Sequence, residues 1–170
     1  MRSPDNGGFI RVSAKSESMI VAHKFGGSSL ADAERIRHVA KLIRAREETR
    51  QVVVVSAMQK VTDGLIALAD AASSRRDWRD DWSTLRDRHL ATADALLNDA
   101  TSARAWLNAQ FHELAERLHA ISVLGGSTRD MGDAISGLGE VWSAHLVHAH
   151  VSEATSDYAL LDARDRRAHV

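Results

Sequence analysis

Apolar and polar positions follow two rhythms along this chain, and the change from one to the other marks its elements. Met19-Ile20-Val21-Ala22 is a short unbroken apolar run, as expected of a buried strand. It leads through His23-Lys24-Phe25-Gly26-Gly27-Ser28-Ser29 into a segment of helical rhythm. From Leu30 to about Glu48 the apolar residues Leu30, Ala33, Ile36, Ala40 and Ile43 recur at helical spacing on one face. Arg35, Arg37, Lys41, Arg44 and Arg46 are then left mostly to solvent. Gln51-Val52-Val53-Val54-Val55-Ser56 follows, and its run of β-branched residues predicts a strand buried on both faces, as in a parallel sheet covered by helices. Strand, helix and strand form a βαβ unit.

Beyond it the helical rhythm dominates. Ser56 to Leu65 reads as a second strand-to-helix turn, with a helix from Val61 to about Ser73 that Ser73-Ser74-Arg75-Arg76-Asp77 ends. Amphipathic helices from about Trp82 to Asn98 and from about Ser102 to Ile121, joined by Asn98-Asp99-Ala100-Thr101, predict a helical hairpin insertion. Trp106, Phe111, Leu114, Leu118 and Ile121 track one face of its second arm. Trp78 and Trp82 are expected to pin a helix start to the core rather than to form a stacking platform. Gly125-Gly126-Ser127-Thr128 breaks the pattern, and Met131 to about Val151 reads as helix despite Gly132, Gly137 and Gly139. Each such glycine costs roughly 1 kcal/mol against alanine, so together they predict a close approach of backbone or ligand. Tyr158-Ala159-Leu160-Leu161-Asp162-Ala163 reads as a third strand. The fold class is therefore α/β, a mainly parallel sheet flanked by helices. Residues 1–17 are expected to form a flexible N-terminal extension, 18–165 the folded part, which the resemblance given below makes the N-terminal part of a longer domain, and 166–170 a polar, basic tail.

Composition narrows the chemistry. With 170 residues, 44% of them apolar, the chain can build one core of ordinary size. Lys and Arg number 22 against 23 Asp and Glu, so no global charge attracts nucleic acid or an anionic membrane, and any basic site must be local. The absence of cysteine excludes disulfides and thiolate chemistry. No apolar run approaches a membrane span and no secretory signal is apparent, so the expected compartment is the cytoplasm.

Two turns carry the candidate chemistry. In the first, adjacent Gly26 and Gly27 are expected to allow positive φ and close approach of a ligand. Ser28 and Ser29 add hydroxyl donors, the helix start adds unpaired N–H groups, and Lys24 adds a full charge, which together suit an anion. The same residues also make an ordinary βα loop with Ser29 as N-cap. Lys24 precedes the glycines, so this is neither a Walker A loop nor a dinucleotide fingerprint. In the second turn, Ser56 and Thr62 should face the same crevice, because neighbouring parallel strands end on one edge; Thr62 is either a helix cap or a ligand contact. Glu140, among glycines, is either a surface charge or the partner of a cation. His145, His148 and His150 are not expected to hold a metal, because only the first two share a face and no carboxylate accompanies them.

Taken in order, Lys24-Phe25-Gly26-Gly27-Ser28-Ser29, Arg35-Ile36, Val39-Ala40, Val52 to Met58, Val61-Thr62-Asp63, Gly139-Glu140 and Ser143-Ala144 resemble the aspartokinases. Ser28 stands where that family usually has threonine, which keeps the hydroxyl. The resemblance implies the amino acid kinase fold and transfer of the ATP γ-phosphoryl group to the β-carboxylate of L-aspartate, with Mg²⁺ accompanying ATP. It also implies a homo-oligomeric parent protein and the first step toward lysine, threonine and methionine. By the same resemblance Lys24, Gly26, Gly27 and Ser28 bind the phosphoryl groups, with Lys24 catalytic, while Ser56, Thr62 and Glu140 hold aspartate, Glu140 through its α-ammonium group.

The family's catalytic domain is longer than this chain, and its second half carries a Gly-rich Ser-Asp-Tyr segment. Ser156-Asp157-Tyr158 lacks the Gly-rich lead and reads as coincidence. After Asp162-Ala163-Arg164-Asp165 the sequence turns to Arg166-Arg167-Ala168-His169-Val170 instead of another apolar strand. The expectation is thus an incomplete fold with an open sheet edge and little or no activity of the isolated chain. The alternative is a non-catalytic fragment that docks on a full-length kinase subunit through that edge. A relative acting on glutamate or a nucleotide fits Val61-Thr62-Asp63 and Gly139-Glu140 less well.

Overall fold

The computed structural model describes residues 20–45, 50–126 and 128–162. The expected extension over 1–17 and the tail over 166–170 lie outside them. The elements are β1 (Ile20–Phe25), a 3-10 turn (Gly27–Leu30), α1 (Ala33–Arg44), β2 (Arg50–Val55), α2 (Val61–Ser73), α3 (Arg79–Leu96), α4 (Thr101–Leu124), α5 (Arg129–Ser136) and α6 (Leu138–Ser152). Strands β1 and β2 pair in parallel from Ile20 opposite Arg50 to Phe25 opposite Val55. This completes the expected βαβ unit.

The four valines do not make a strand buried on both faces. Exposure alternates along both strands, and Ile20, Val52 and Val54 remain about half exposed, at 55%, 48% and 50%. A β-branched run fits a pleated surface whether or not its second face is covered, so composition alone could not separate the two cases. The expected third strand is also absent among the described residues. Tyr158 to Asp162 carry no ladder, and the Tyr158 carbonyl meets the His148 ring at 3.1 Å. The helix expected from Leu30 begins later, because the Ser29 amide closes a tight turn on the Gly26 carbonyl (2.9 Å) and Asp32 then caps α1 by accepting from the Arg35 amide (2.9 Å). Ser29 is therefore not its cap. The single helix expected from Met131 to Val151 divides at Gly137 into α5 and α6.

The helices supply the core. Leu107, Phe111, Leu114, Leu118 and Ile121 of α4 are fully buried, and α3 runs back beside them as the predicted hairpin. Trp78 donates its indole N–H to Ser122 Oγ (3.2 Å) and Trp82 donates to the Phe111 carbonyl (3.0 Å), so both tryptophans fasten the start of α3 to α4. At the centre Phe111 and Trp142 of α6 pack with ring centroids 4.3 Å apart, and the His89 ring lies 5.1 Å from Trp142 and 5.4 Å from Phe111. Among the described residues no helix is long and apolar enough to cross a membrane.

His89 is fully buried, with Nδ1 2.7 Å from the Leu85 carbonyl. Burial disfavours its charged form and lowers its pKa from 6.5 to about 4. The unfolded chain therefore binds more protons between these values, so the stability due to the neutral ring is full above pH 6.5 and is lost as the pH falls toward 4. Urea unfolding of the wild type should lose about 2 kcal/mol to this group between about pH 7 and pH 5. A His89→Leu chain should lose correspondingly less over the same interval. An equal loss in both chains would contradict the assignment.

Candidate active site

The two strands end side by side, and the Ser56 amide extends their pairing by donating to the Phe25 carbonyl at 2.9 Å. Their following turns therefore lie on one edge, as the parallel pairing requires. The glycines of the first turn do not serve the expected purpose. Gly26 is extended, with φ −81°, and among the described residues Gly125 is the glycine with positive φ. Gly27 is instead needed for close approach. A Cβ there would stand 3.0 Å from the Ala57 carbonyl oxygen and 3.5 Å from Gln59 Cα. At Gly26 nothing lies within 4 Å of that position, and its backbone, like Ser28, faces open space.

The second turn, Ser56 to Lys60, closes with the Val61 amide donating to the Met58 carbonyl (3.0 Å). Lys60 occupies the cap position of α2 in the left-handed region, φ 65° and ψ 6°, with no side-chain cap. A non-glycine residue held there costs on the order of 1 kcal/mol or more, which the surrounding turn must sustain. Thr62 thus lies inside the first turn of α2 and is not its cap. The residue is half-buried.

The third contribution is the start of α6. A Cβ on Gly139 would come within 2.7 Å of Ala57 Cβ and 2.9 Å of Val61 Cγ1, so only glycine lets this helix sit on the second turn. The Ser143 hydroxyl secures it by donating to the Ser56 carbonyl at 2.5 Å, and lies 3.1 Å from the Glu140 carbonyl. Glu140 is thereby held at the ends of the strands. Its residue is half-buried, and its Oε2 is buried with no hydrogen-bond partner among the described residues.

Lys24 stands one ladder step before Phe25, opposite Val54, and is exposed on the open face of the sheet. It forms no ion pair among the described residues. The turns that carry Gly26, Gly27, Ser28, Ser56 and Thr62 follow the paired strands at one end, and Lys24 is the penultimate residue of β1. Helix α6 with Glu140 is joined to that end through Gly139 and Ser143, with Lys24 exposed and one oxygen of Glu140 buried. A cleft of about 410 Å³ at the far end of α2, lined by Arg75, Arg76 and Trp78, includes none of them. The histidines of α6 have other partners. His148 meets Tyr158, His150 lies 3.3 Å from Glu153, and the His145 ring packs 3.8 Å from the Trp106 ring. Sequence reasoning missed Ser143 as a tether, because a lone serine inside a helix carries no positional signal.

The model of the amino acid kinase family matches residues 19–169. The chain is 39% identical over 146 residues to the chloroplastic bifunctional aspartokinase/homoserine dehydrogenase 1 of Arabidopsis thaliana, an alignment covering 84% of this chain and 16% of that one. It is 31% identical over 133 residues to chloroplastic aspartokinase 1 of the same plant, covering 76% and 23%. Its fold is similar to that of Escherichia coli aspartokinase III in complex with aspartate and ADP, with TM-score 0.70, 24% identity and coverage of 79% and 29%. The chain therefore spans less than a third of the length of each of these proteins.

The glycine contacts lead to opposite expectations for two substitutions. Gly139→Ala should destabilise the chain by about 1–3 kcal/mol through overpacking against Ala57 and Val61. Gly132→Ala, where nothing lies within 4 Å of the new Cβ, should stabilise it by up to about 1 kcal/mol through helix propensity. Urea midpoints shifting in the same direction for both would refute the packing account.

Proposed function

The chain belongs to the amino acid kinase family, and from that premise we propose that its described residues form the phosphate- and aspartate-binding part of an aspartate kinase. The reaction is transfer of the ATP γ-phosphoryl group to the β-carboxylate of L-aspartate. The observation that carries this reading is the buried, unpartnered Oε2 of Glu140 at the strand ends. An orphaned carboxylate oxygen costs free energy until a donor arrives, and a cationic donor is its best complement. The α-ammonium group of aspartate is such a donor. The hydroxyls of Ser56 and Thr62, from the turn on which Glu140 rests, are available to the substrate's carboxylates. Relatives named as aspartokinases, and a fold neighbour solved with aspartate and ADP, support the same choice.

The acceptor's own chemistry suits a site without a base. A β-carboxylate with a pKa near ~3.9 is ionised at neutral pH and attacks without losing a proton. What the transfer needs is positive charge and N–H donors at the phosphoryl oxygens, together with in-line placement of two anions that repel. Lys24 supplies the charge, and Gly26, Gly27 and Ser28 supply an open backbone and a hydroxyl beside it. Mg²⁺ carried with ATP adds charge at the phosphate oxygens when bound. The same reading includes the first step of lysine, threonine and methionine synthesis, a homo-oligomeric parent protein and a cytoplasmic setting.

A second reading draws on the half-exposed Ile20, Val52 and Val54. An apolar sheet face and an unpaired strand edge are surfaces on which another kinase subunit could dock, leaving this chain without a catalytic role.

Binding separates the two. Calorimetric titration of L-aspartate should give a saturable signal that weakens about tenfold or more in Glu140→Gln, the loss of one charge-assisted contact. Succinate, which lacks the ammonium group, should bind weakly and respond little to that substitution. Lys24→Ala should weaken ADP and leave aspartate unaffected. No aspartate binding by the wild type, with tight association to a full-length aspartokinase subunit, would overturn the first reading in favour of the second.

A further inference from the structure

The helical hairpin carries no catalytic signature in its sequence, yet one of its side chains reaches both turns of the site. Arg88 of α3 donates through Nη1 to the Gln59 carbonyl at 2.8 Å and through Nη2 to the Ala31 carbonyl at 2.9 Å. Gln59 belongs to the turn between β2 and α2, immediately before the left-handed Lys60. Ala31 follows the 3-10 turn that holds Gly27 and Ser28. Neither residue lies in a helix or strand.

From this geometry we infer that Arg88 is a positioning residue that fixes the phosphate-binding turn relative to the aspartate-binding turn. The inference rests on the reading of those turns given above. The turns already touch where Gly27 packs against the Ala57 carbonyl and Gln59, and the Ser56 amide bonds the Phe25 carbonyl at the strand ends. The guanidinium adds a tie that reaches past Gly27 to Ala31 and bonds it, through one rigid group, to the Gln59 carbonyl. Because its donors are fixed in one plane, it constrains separation and angle together. In-line transfer between two bound anions is sensitive to that relative placement, so the hairpin acts on the reaction without touching either substrate.

Arg88→Met, which keeps the apolar stem and removes the fork, should be compared with Arg88→Lys and the wild type by amide hydrogen exchange and thermal unfolding of the full chain. The reporters are the Ser29 amide, bonded to Gly26, and the Val61 amide, bonded to Met58; the Gly125 amide, bonded to Ile121, serves as a distant reference. Arg88→Met should accelerate exchange at Ser29 and Val61 together by about tenfold or more, with Gly125 and the thermal midpoint little changed. Lys, with donors on a single nitrogen, should restore protection in one turn and not in both. Its effect on ligands should be a roughly tenfold weaker aspartate affinity in Arg88→Met although every aspartate contact remains. Exchange unchanged at either reporter, or raised equally at Gly125, would overturn the inference. Failure of the wild type to bind aspartate would instead overturn the site reading above, and the exchange arm would still decide the role of Arg88.

Discussion

Close contact between bare backbone and Ala57 sets the position of everything else at the strand ends. Gly27 lies against its carbonyl, where an added Cβ would stand 3.0 Å away, and Gly139 lies against its methyl, where one would stand 2.7 Å away. Three segments distant in sequence thereby meet at one residue. Packing of this kind is steep in distance, so it locates the segments more sharply than a polar contact of the same strength. The hydrogen bond from Ser143 to the Ser56 carbonyl then fixes the rotation of α6 about that contact, and with it the direction in which Glu140 leaves the helix.

The charges that result are arranged unequally. Lys24 is exposed, and solvation costs it little, whereas Glu140 keeps one oxygen buried without a donor. His23 Nε2, Gln51 Oε1, His89 Nε2 and Trp142 Nε1 share that condition among the described residues. The His89 and Trp142 atoms lie in the aromatic core, where a weak polar edge against another ring is tolerable. Glu140 alone among the five stands where the two parallel strands end, the edge on which open α/β sheets take their ligands. Buried orphans cost on the order of 1–3 kcal/mol each.

Much of this architecture was legible in the residues. Helical spacing located α1 through α4, the tryptophans were correctly expected to fasten the hairpin, and the ordered motifs pointed to a family that the comparisons support. The misreadings share a physical cause, since each depended on what lay opposite a segment. Val52 to Val55 show a preference for pleated surface and not how many faces are covered. Tyr158 to Ala163 have strand composition, but among the described residues no ladder stands beside them. Gly26 and Gly27 suggested positive φ, whereas Gly27 serves a close approach that Ala57 and Gln59 define. The cap of α1 moved from Ser29 to Asp32 because the 3-10 turn consumed the intervening residues, a competition between two local hydrogen-bond patterns that residue type does not decide.

The described residues hold a sheet of two strands, which is marginal by itself, so the strands cannot be what keeps the candidate site in place. The helices bear that task. Phe111 of α4, His89 of α3 and Trp142 of α6 meet in one aromatic contact, which ties the hairpin to the helix that carries Glu140. From the same α3, Arg88 extends to both turns. A displacement of the hairpin is therefore transmitted to the carboxylate through the core and to the turns through the guanidinium, so the three contributions move together or not at all. In this arrangement the insertion is structurally part of the site.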